Sequence, residues 1–139
     1  MKILTAMFLA LWLTSSGALA FGESSILLKD RTYCAMNRPG DRFGKLTVGK
    51  DTLSWASGQK SRYKAIIETK ECCIVELTSN PLPEFYGTAY KYIKFDSVEP
   101  DRGFELIGAG LSNTFNGSDI GECGEWFSYA LLTSEEAEK

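Results

Sequence analysis

The sequence contains no histidine, and this absence removes the commonest general base of nucleophilic catalysis. Ser–His and Cys–His systems are therefore excluded. The sequence also lacks a glycine-rich phosphate loop and a metalloprotease motif. The carboxylates follow turns and polar strand faces, with no sign of a converging acid pair of the kind that hydrolyses glycosides. We predict that the protein is not an enzyme and uses no cofactor.

The sequence also lacks a hydrophobic run long enough to span a bilayer, which takes about 20 residues. Residues 1–20 carry one early cation, a short apolar run and a closing Ala18-Leu19-Ala20. This pattern is typical of a cleaved secretory signal peptide. We predict a signal peptide at 1–20, a single domain at 21–139, no membrane span after cleavage, and a periplasmic or secreted location.

The third absence is a Cys-x-x-Cys spacing, which together with the lack of histidine argues against a zinc site. An even number of cysteines in an exported chain predicts disulfides. A bond between the neighbours Cys72 and Cys73 would be strained. The sequence therefore predicts either Cys34–Cys72 with Cys73–Cys123, or Cys34–Cys73 with Cys72–Cys123, so that the hairpin at 61–78 is tied to both ends of the chain.

Short runs of β-branched and aromatic residues alternate with turn residues at intervals of about ten, a pattern typical of all-β folds. We predict eight strands, at 25–36, 44–48, 52–56, 61–67, 72–77, 88–98, 104–111 and 125–133. Short reversals between them favour a small antiparallel meander β-barrel, with a β-sandwich as the alternative. An eight-stranded barrel either fills its interior with side chains or holds one small ligand.

Charge is distributed unevenly along the chain. Residues 21–70 have ten Lys and Arg against five Asp and Glu, whereas residues 71–139 have four against thirteen. In a meander the two halves occupy adjacent sectors, so we expect a positive side and a negative side. The acidic total argues against nucleic acid as a partner. On the basic side, Arg62 and Lys64 are candidate contacts for an acidic partner.

Three aromatic residues stand in loops, where core packing does not already explain them. Phe85 and Tyr86 lie in a loop stiffened by prolines, and Phe115 lies in the polar loop 112–124. We predict that both loops emerge at one end of the barrel and that these rings are candidate contacts for a partner protein. The polar loop also offers hard oxygen donors for a weak calcium site at Asn116, Asp119 and Glu122.

Small size, export, predicted disulfides and missing catalytic groups together indicate a binding protein. We expect it to bind another protein, as an inhibitor or immunity-type protein against an envelope-acting enzyme. The alternatives are a barrel that carries a small apolar ligand and a structural module of the envelope. A carrier requires an internal cavity, whereas an inhibitor requires a filled interior and exposed contact residues.

Overall fold

A computed structural model describes residues 25–37, 44–82, 89–99, 101 and 105–138. It contains eight strands and one short helix: β1 (Arg31–Ala35), β2 (Lys45–Val48), β3 (Thr52–Trp55), β4 (Lys60–Glu68), β5 (Cys72–Leu77), β6 (Tyr92–Ser97), β7 (Leu106–Ser112), β8 (Glu125–Leu131) and α1 (Ser134–Ala137). Each strand pairs with the next one, and β8 pairs with β1, so the sheet closes into a barrel. The predicted eight-stranded antiparallel meander barrel is confirmed.

Some predictions fall on other parts of the chain. The signal peptide at 1–20, and Phe85 and Tyr86, lie outside the described residues. Within the described ranges, no helix has the length and apolar character needed to cross a membrane.

The barrel closes through antiparallel pairing of the first and last strands. Tyr33 lies opposite Leu131, and Ala35 lies opposite Tyr129. Because side chains alternate along a strand, Tyr33 and Ala35 point into the barrel while Cys34 between them points out. Closure leaves the sheet with no free edge.

The interior of the barrel is filled by side chains from all eight strands. Tyr33, Phe95 and Phe127 are at most 1% exposed, and smaller apolar side chains such as Leu53 and Ile107 pack among them. Burying one such large apolar side chain contributes about 1.5–3 kcal/mol to folding. The inner faces of the strands are therefore occupied by packing that stabilises the fold.

The end of the barrel where β1 begins is covered by the residues that precede β1. Ile26 and Leu27 are buried there. The Ile26 N–H donates to the Thr69 carbonyl (3.0 Å), and the Leu28 N–H donates to the Tyr33 hydroxyl (3.0 Å). The predicted first strand, 25–36, was therefore too long. Asp30 has a φ of 62°, and this left-handed residue turns the chain just before β1.

A β-bulge in β4 changes which side chains face the core. Period-two alternation along 61–67 predicts that Tyr63, Ala65 and Ile67 share one buried face. In the structure the register shifts between Ala65 and Ile67, so that Ile67 pairs with Ile74 of β5. Ile74 lies between the core residues Cys73 and Val75 and therefore points outward. An extra residue in one strand reverses the faces beyond it, which periodicity alone does not reveal.

The predicted disulfides are wrong: all four cysteines are free thiols. Cys34 on β1 and Cys72 on β5 point outward from opposite sides of the barrel, because the two strands are four positions apart around it. Cys73 points inward and is 1% exposed. The barrel wall therefore separates it from Cys34 and Cys123.

Cys72 and Cys123 both lie on the outer surface, but they are too far apart to form a disulfide. Cys123 lies over Gly110 of β7, two strands away from β5. Two strand spacings amount to roughly 10 Å, whereas a disulfide needs Cα atoms within about 7 Å. An even cysteine count predicted bonds that the directions of the side chains do not allow.

We expect the four thiols to differ in their rates of alkylation in the native protein. Burial raises the pKa of Cys73 to about 12, with the negative charge of Glu68 adding to the effect. Its thiolate fraction is then about a thousandfold below that of an unshifted thiol, and the thiolate is the nucleophile. Timed alkylation followed by peptide mapping should therefore label Cys73 last.

Denatured protein is the control for that experiment, because all four thiols should then react at similar rates. Disulfide-linked peptides in the unreduced native sample would contradict the prediction.

Candidate functional site

The two basic residues selected from the sequence lie on the outer face of β4. Arg62 and Lys64 have side-chain exposures of 69% and 64%. The Arg62 guanidinium lies 3.4 Å from the Asp51 carboxylate, and the Lys64 ammonium lies 3.9 Å from the Glu76 carboxylate. Exposed pairs of this kind contribute at most about 1 kcal/mol. Both side chains remain accessible to a partner.

Phe115 does not project into solvent. Its ring stacks on that of Tyr92 with the centroids 5.7 Å apart. It pairs with Ile120 in a small bridge, so the loop after β7 forms a hairpin that lies against the outer wall. The Lys94 ammonium fixes this hairpin through a 3.0 Å contact with the Asp119 carboxylate. The loop therefore covers part of the wall, and Phe115 anchors it.

The two loops that carry the selected aromatics do begin at the same end of the barrel. One follows β5 and the other follows β7, and these strands run in the same direction. Leu82 and Tyr90 pair across the base of the first loop. Both of these side chains are buried.

The three residues proposed as a calcium site make other contacts or stand apart. The Asn116 side-chain oxygen accepts hydrogen bonds from the backbone N–H groups of Ser118 and Asp119. Asp119 is engaged by Lys94, and Glu122 is exposed. Within the described residues, no group of three or more cysteine or carboxylate side chains could hold a metal ion.

Two glycines of β7 let neighbouring side chains lie directly on the wall. A Cβ atom built on Gly110 would be 2.6 Å from Cys123 Sγ. One built on Gly108 would be 2.9 Å from Trp126 Cζ2 and 3.0 Å from Asp96 Oδ1. Glycine inside a strand permits the close approach of a neighbouring side chain. The structure identifies the side chains that approach.

Trp126 is the residue that sequence reasoning missed. The predicted strand 125–133 contains several apolar residues, and its sequence does not distinguish Trp126 from Phe127. Alternation along β8 places Phe127 and Tyr129 inside, so Trp126 points out and is 47% exposed. The Asn37 side chain forms two hydrogen bonds with the backbone of β8 at this point. It donates to the Trp126 carbonyl (3.1 Å) and accepts from the Ser128 N–H (3.0 Å).

Asp96 lies beside the indole of Trp126 and has no hydrogen-bonding partner among the described residues. It is opposite Gly108 in register and half-buried. Desolvation by burial raises the pKa of its carboxyl group, against a smaller opposing effect of Lys94. Across the described part of the chain, its carboxylate makes no hydrogen bond or ion pair. The nearby ammonium of Lys94 is directed to Asp119 instead, and this contact lowers the pKa of Asp119.

The two thiols on this wall are not poised for reaction. Desolvation raises the pKa of both Cys72 and Cys123. Both are therefore neutral at pH 7, and a neutral thiol is a poor nucleophile. An exposed indole and a carboxylate that makes no ion pair with the described residues therefore lie side by side on this wall. We call the surface formed by Asp96, Gly108 and Trp126 the indole site.

Comparisons with models of protein families, with curated proteins and with solved structures found no match to this chain.

We expect Gly110→Ala to destabilise the protein by about 1–3 kcal/mol, because the new methyl group collides with the sulfur atom of Cys123. Cys123→Ala, at an exposed position, should have little effect alone. In the double variant the collision is absent, and most of the lost stability should return. Urea denaturation of the four proteins measures this coupling. Additive effects would contradict the placement of Cys123 over Gly110.

We expect Asp96→Asn to stabilise the protein at neutral pH. The raised pKa means that the ionised carboxylate of Asp96 is less stable in the folded protein than in the unfolded chain. Its ionisation therefore lowers the free energy of unfolding, and this penalty is fully present above the folded-state pKa. The penalty falls as the pH falls through that pKa and vanishes below the unfolded value of 3.8. The difference in unfolding free energy between variant and wild type should therefore shrink from pH 7 towards pH 3.5.

Glu76→Gln is the matched control for that comparison, because it removes a half-buried carboxylate that is paired with Lys64. An Asp96→Asn stability difference that does not change with pH would contradict the desolvation of Asp96.

Proposed function

We propose that this protein is an exported binding protein whose target is another protein, and that it acts in the periplasm or outside the cell. The observation that carries the proposal is the filled barrel interior. Aromatic side chains from β1, β6 and β8 meet there and are almost fully buried. A carrier needs internal space for its ligand. The outer walls and the loops are then the surfaces available for function.

The exposed side chains support a protein target over a small molecule. Trp126 is exposed on the outer wall, and tryptophan is enriched among the residues that dominate binding energy in interfaces. Arg62 and Lys64 on β4 add a second, basic contact surface. Phe115 stacks on Tyr92 and anchors the hairpin that lies against the wall. An indole exposed on the outside of a barrel whose interior is filled suits contact with a partner's surface better than enclosure of a small ligand.

We further propose the inhibitor or immunity type of binding, directed against an envelope-acting enzyme. A rigid closed barrel loses little conformational freedom on binding, which favours high affinity. The chain lacks histidine, and desolvation raises the pKa of Cys72, Cys73 and Cys123, so in this proposal it contributes recognition and not chemistry to the complex. The alternative to this inhibitory role is structural attachment to the envelope.

The test is capture of a partner by the folded, immobilised protein from envelope extracts of its own and neighbouring species. A captured enzyme is then purified and assayed with increasing amounts of this protein. We expect a one-to-one complex and loss of the enzyme's activity at stoichiometric amounts. Native mass spectrometry of the protein alone is run in parallel.

Bait unfolded in urea and kept unfolded by alkylation is the control for nonspecific capture. The proposal fails if folded bait captures nothing beyond this control. It also fails if native mass spectrometry finds a small apolar ligand retained by the barrel, because that result identifies a carrier.

A further inference from the structure

The large hydrophobic side chains that are most exposed in the described residues lie on one outer wall. They are Met36 (61%), Trp126 (47%) and Val98 (38%). Trp126 is on β8, Met36 directly follows β1, and Val98 directly follows β6. These strands and β7 are consecutive around the barrel, because β8 pairs with β1. Apolar exposure is therefore concentrated on one side.

A continuous row of backbone pairs on this wall connects Met36 with Asp96. The Met36 N–H donates to the Ser128 carbonyl (2.6 Å). Ser128 pairs with Gly108, and Gly108 pairs with Asp96. The indole of Trp126 extends over Gly108, since a Cβ at that position would be 2.9 Å from its Cζ2 atom. The row therefore runs from an exposed methionine, past the indole, to the carboxylate of Asp96.

The indole and the carboxylate converge on one point. The same position above Gly108 is 2.9 Å from Trp126 Cζ2 and 3.0 Å from Asp96 Oδ1, so these two atoms are no more than about 6 Å apart. A cation that lies over an indole is attracted by the ring within about 6 Å of its centroid. A side chain placed over Trp126 can therefore reach the Asp96 carboxylate as well.

The electrostatic surroundings favour a cation at this place. Described residues from 71 onward include twelve carboxylates, against the two cations Lys91 and Lys94. Lys94 is already held by Asp119 at 3.0 Å. Asp96 is half-buried and makes no ion pair with the described residues, so a cation from a partner would compensate for its lost solvation. The wall formed by β2 to β4 differs, because its outward residues include Lys45, Lys60, Arg62 and Lys64.

We propose that the indole site docks an arginine side chain of a partner protein. The guanidinium stacks on the exposed face of Trp126 and donates hydrogen bonds to Asp96. Arginine fits better than lysine because its planar group stacks on aromatic rings and pairs with a carboxylate through two parallel N–H groups. Met36 and Val98 then contact apolar side chains around the arginine. This inference rests on the proposed function and specifies the chemistry of the partner.

The test uses a hexa-arginine peptide, with hexalysine, hexaglutamate and a chito-oligosaccharide for comparison. Binding is measured by calorimetry and by tryptophan fluorescence. Residues 21–139 contain two tryptophans, and Trp55 is buried, so a ligand-induced change reports mainly on Trp126. We expect hexa-arginine to change the emission and to bind several-fold more tightly than hexalysine, with no binding of hexaglutamate.

Both Asp96→Asn and Trp126→Ala should weaken the binding of hexa-arginine about tenfold. A tenfold change in affinity corresponds to about 1.4 kcal/mol. Glu76→Gln is the matched control, because it removes one carboxylate of the same half of the chain away from Trp126. It should change the affinity less than twofold. Circular dichroism checks that each variant is folded, and Trp126→Phe retains an aromatic ring if the alanine variant does not fold.

Two results would overturn the arginine site. One is equal weakening by Asp96→Asn and Glu76→Gln, which indicates general attraction to an acidic surface. The other is a change in Trp126 emission with the chito-oligosaccharide and not with hexa-arginine, which assigns the indole to sugar stacking.

Failure of the site differs from failure of the proposed function. If Trp126→Ala bait captures the same protein as wild-type bait with unchanged affinity, the indole site is wrong and the binding function stands. If hexa-arginine binds as expected but wild-type bait captures no protein, the site stands and the proposed function is wrong.

Discussion

Pairing between β1 and β8 is the constraint on which the rest of the structure depends. Once the sheet closes, its inner face becomes a volume of fixed size that side chains must fill. Tyr33 contributes both to this closure and to the packing, and its hydroxyl also accepts the Leu28 N–H of the segment that covers one end. The core, the covered end and the absence of free edges therefore all follow from one strand pairing.

A filled interior limits where recognition can occur. On the outer wall, Gly108 and Gly110 lack a Cβ atom and therefore let a side chain lie directly against the strand. The indole of Trp126 and the sulfur of Cys123 occupy these positions. The hairpin anchored by Phe115 and Asp119 covers the neighbouring part of the wall, and the indole beside it stays half exposed. One surface therefore combines a supported loop with an accessible aromatic ring.

The fold class was predictable because strand spacing and turn residues are local signals, and eight short strands with short reversals have few possible arrangements. The errors depend on geometry that a sequence does not display. The bulge before Ile67 reversed the faces of β4, and the left-handed Asp30 shortened β1. The disulfides failed because an even count of cysteines says nothing about which side of a closed wall each one occupies. Trp126 was missed because an apolar residue in a strand reads as core until its neighbours Phe127 and Tyr129 are known to fill the interior.

Closure also has a consequence for how the chain reaches its native state. The strands that meet at the seam are separated by about ninety residues, from Arg31–Ala35 to Glu125–Leu131. Contacts that join distant parts of a chain form late, because a large loop must close before they are gained. Until β8 arrives, both β1 and β7 present unpaired backbone groups that can recruit strands from other molecules. A chain cut short before residue 125 would keep both edges open, so the last strand protects the protein from association with its own copies.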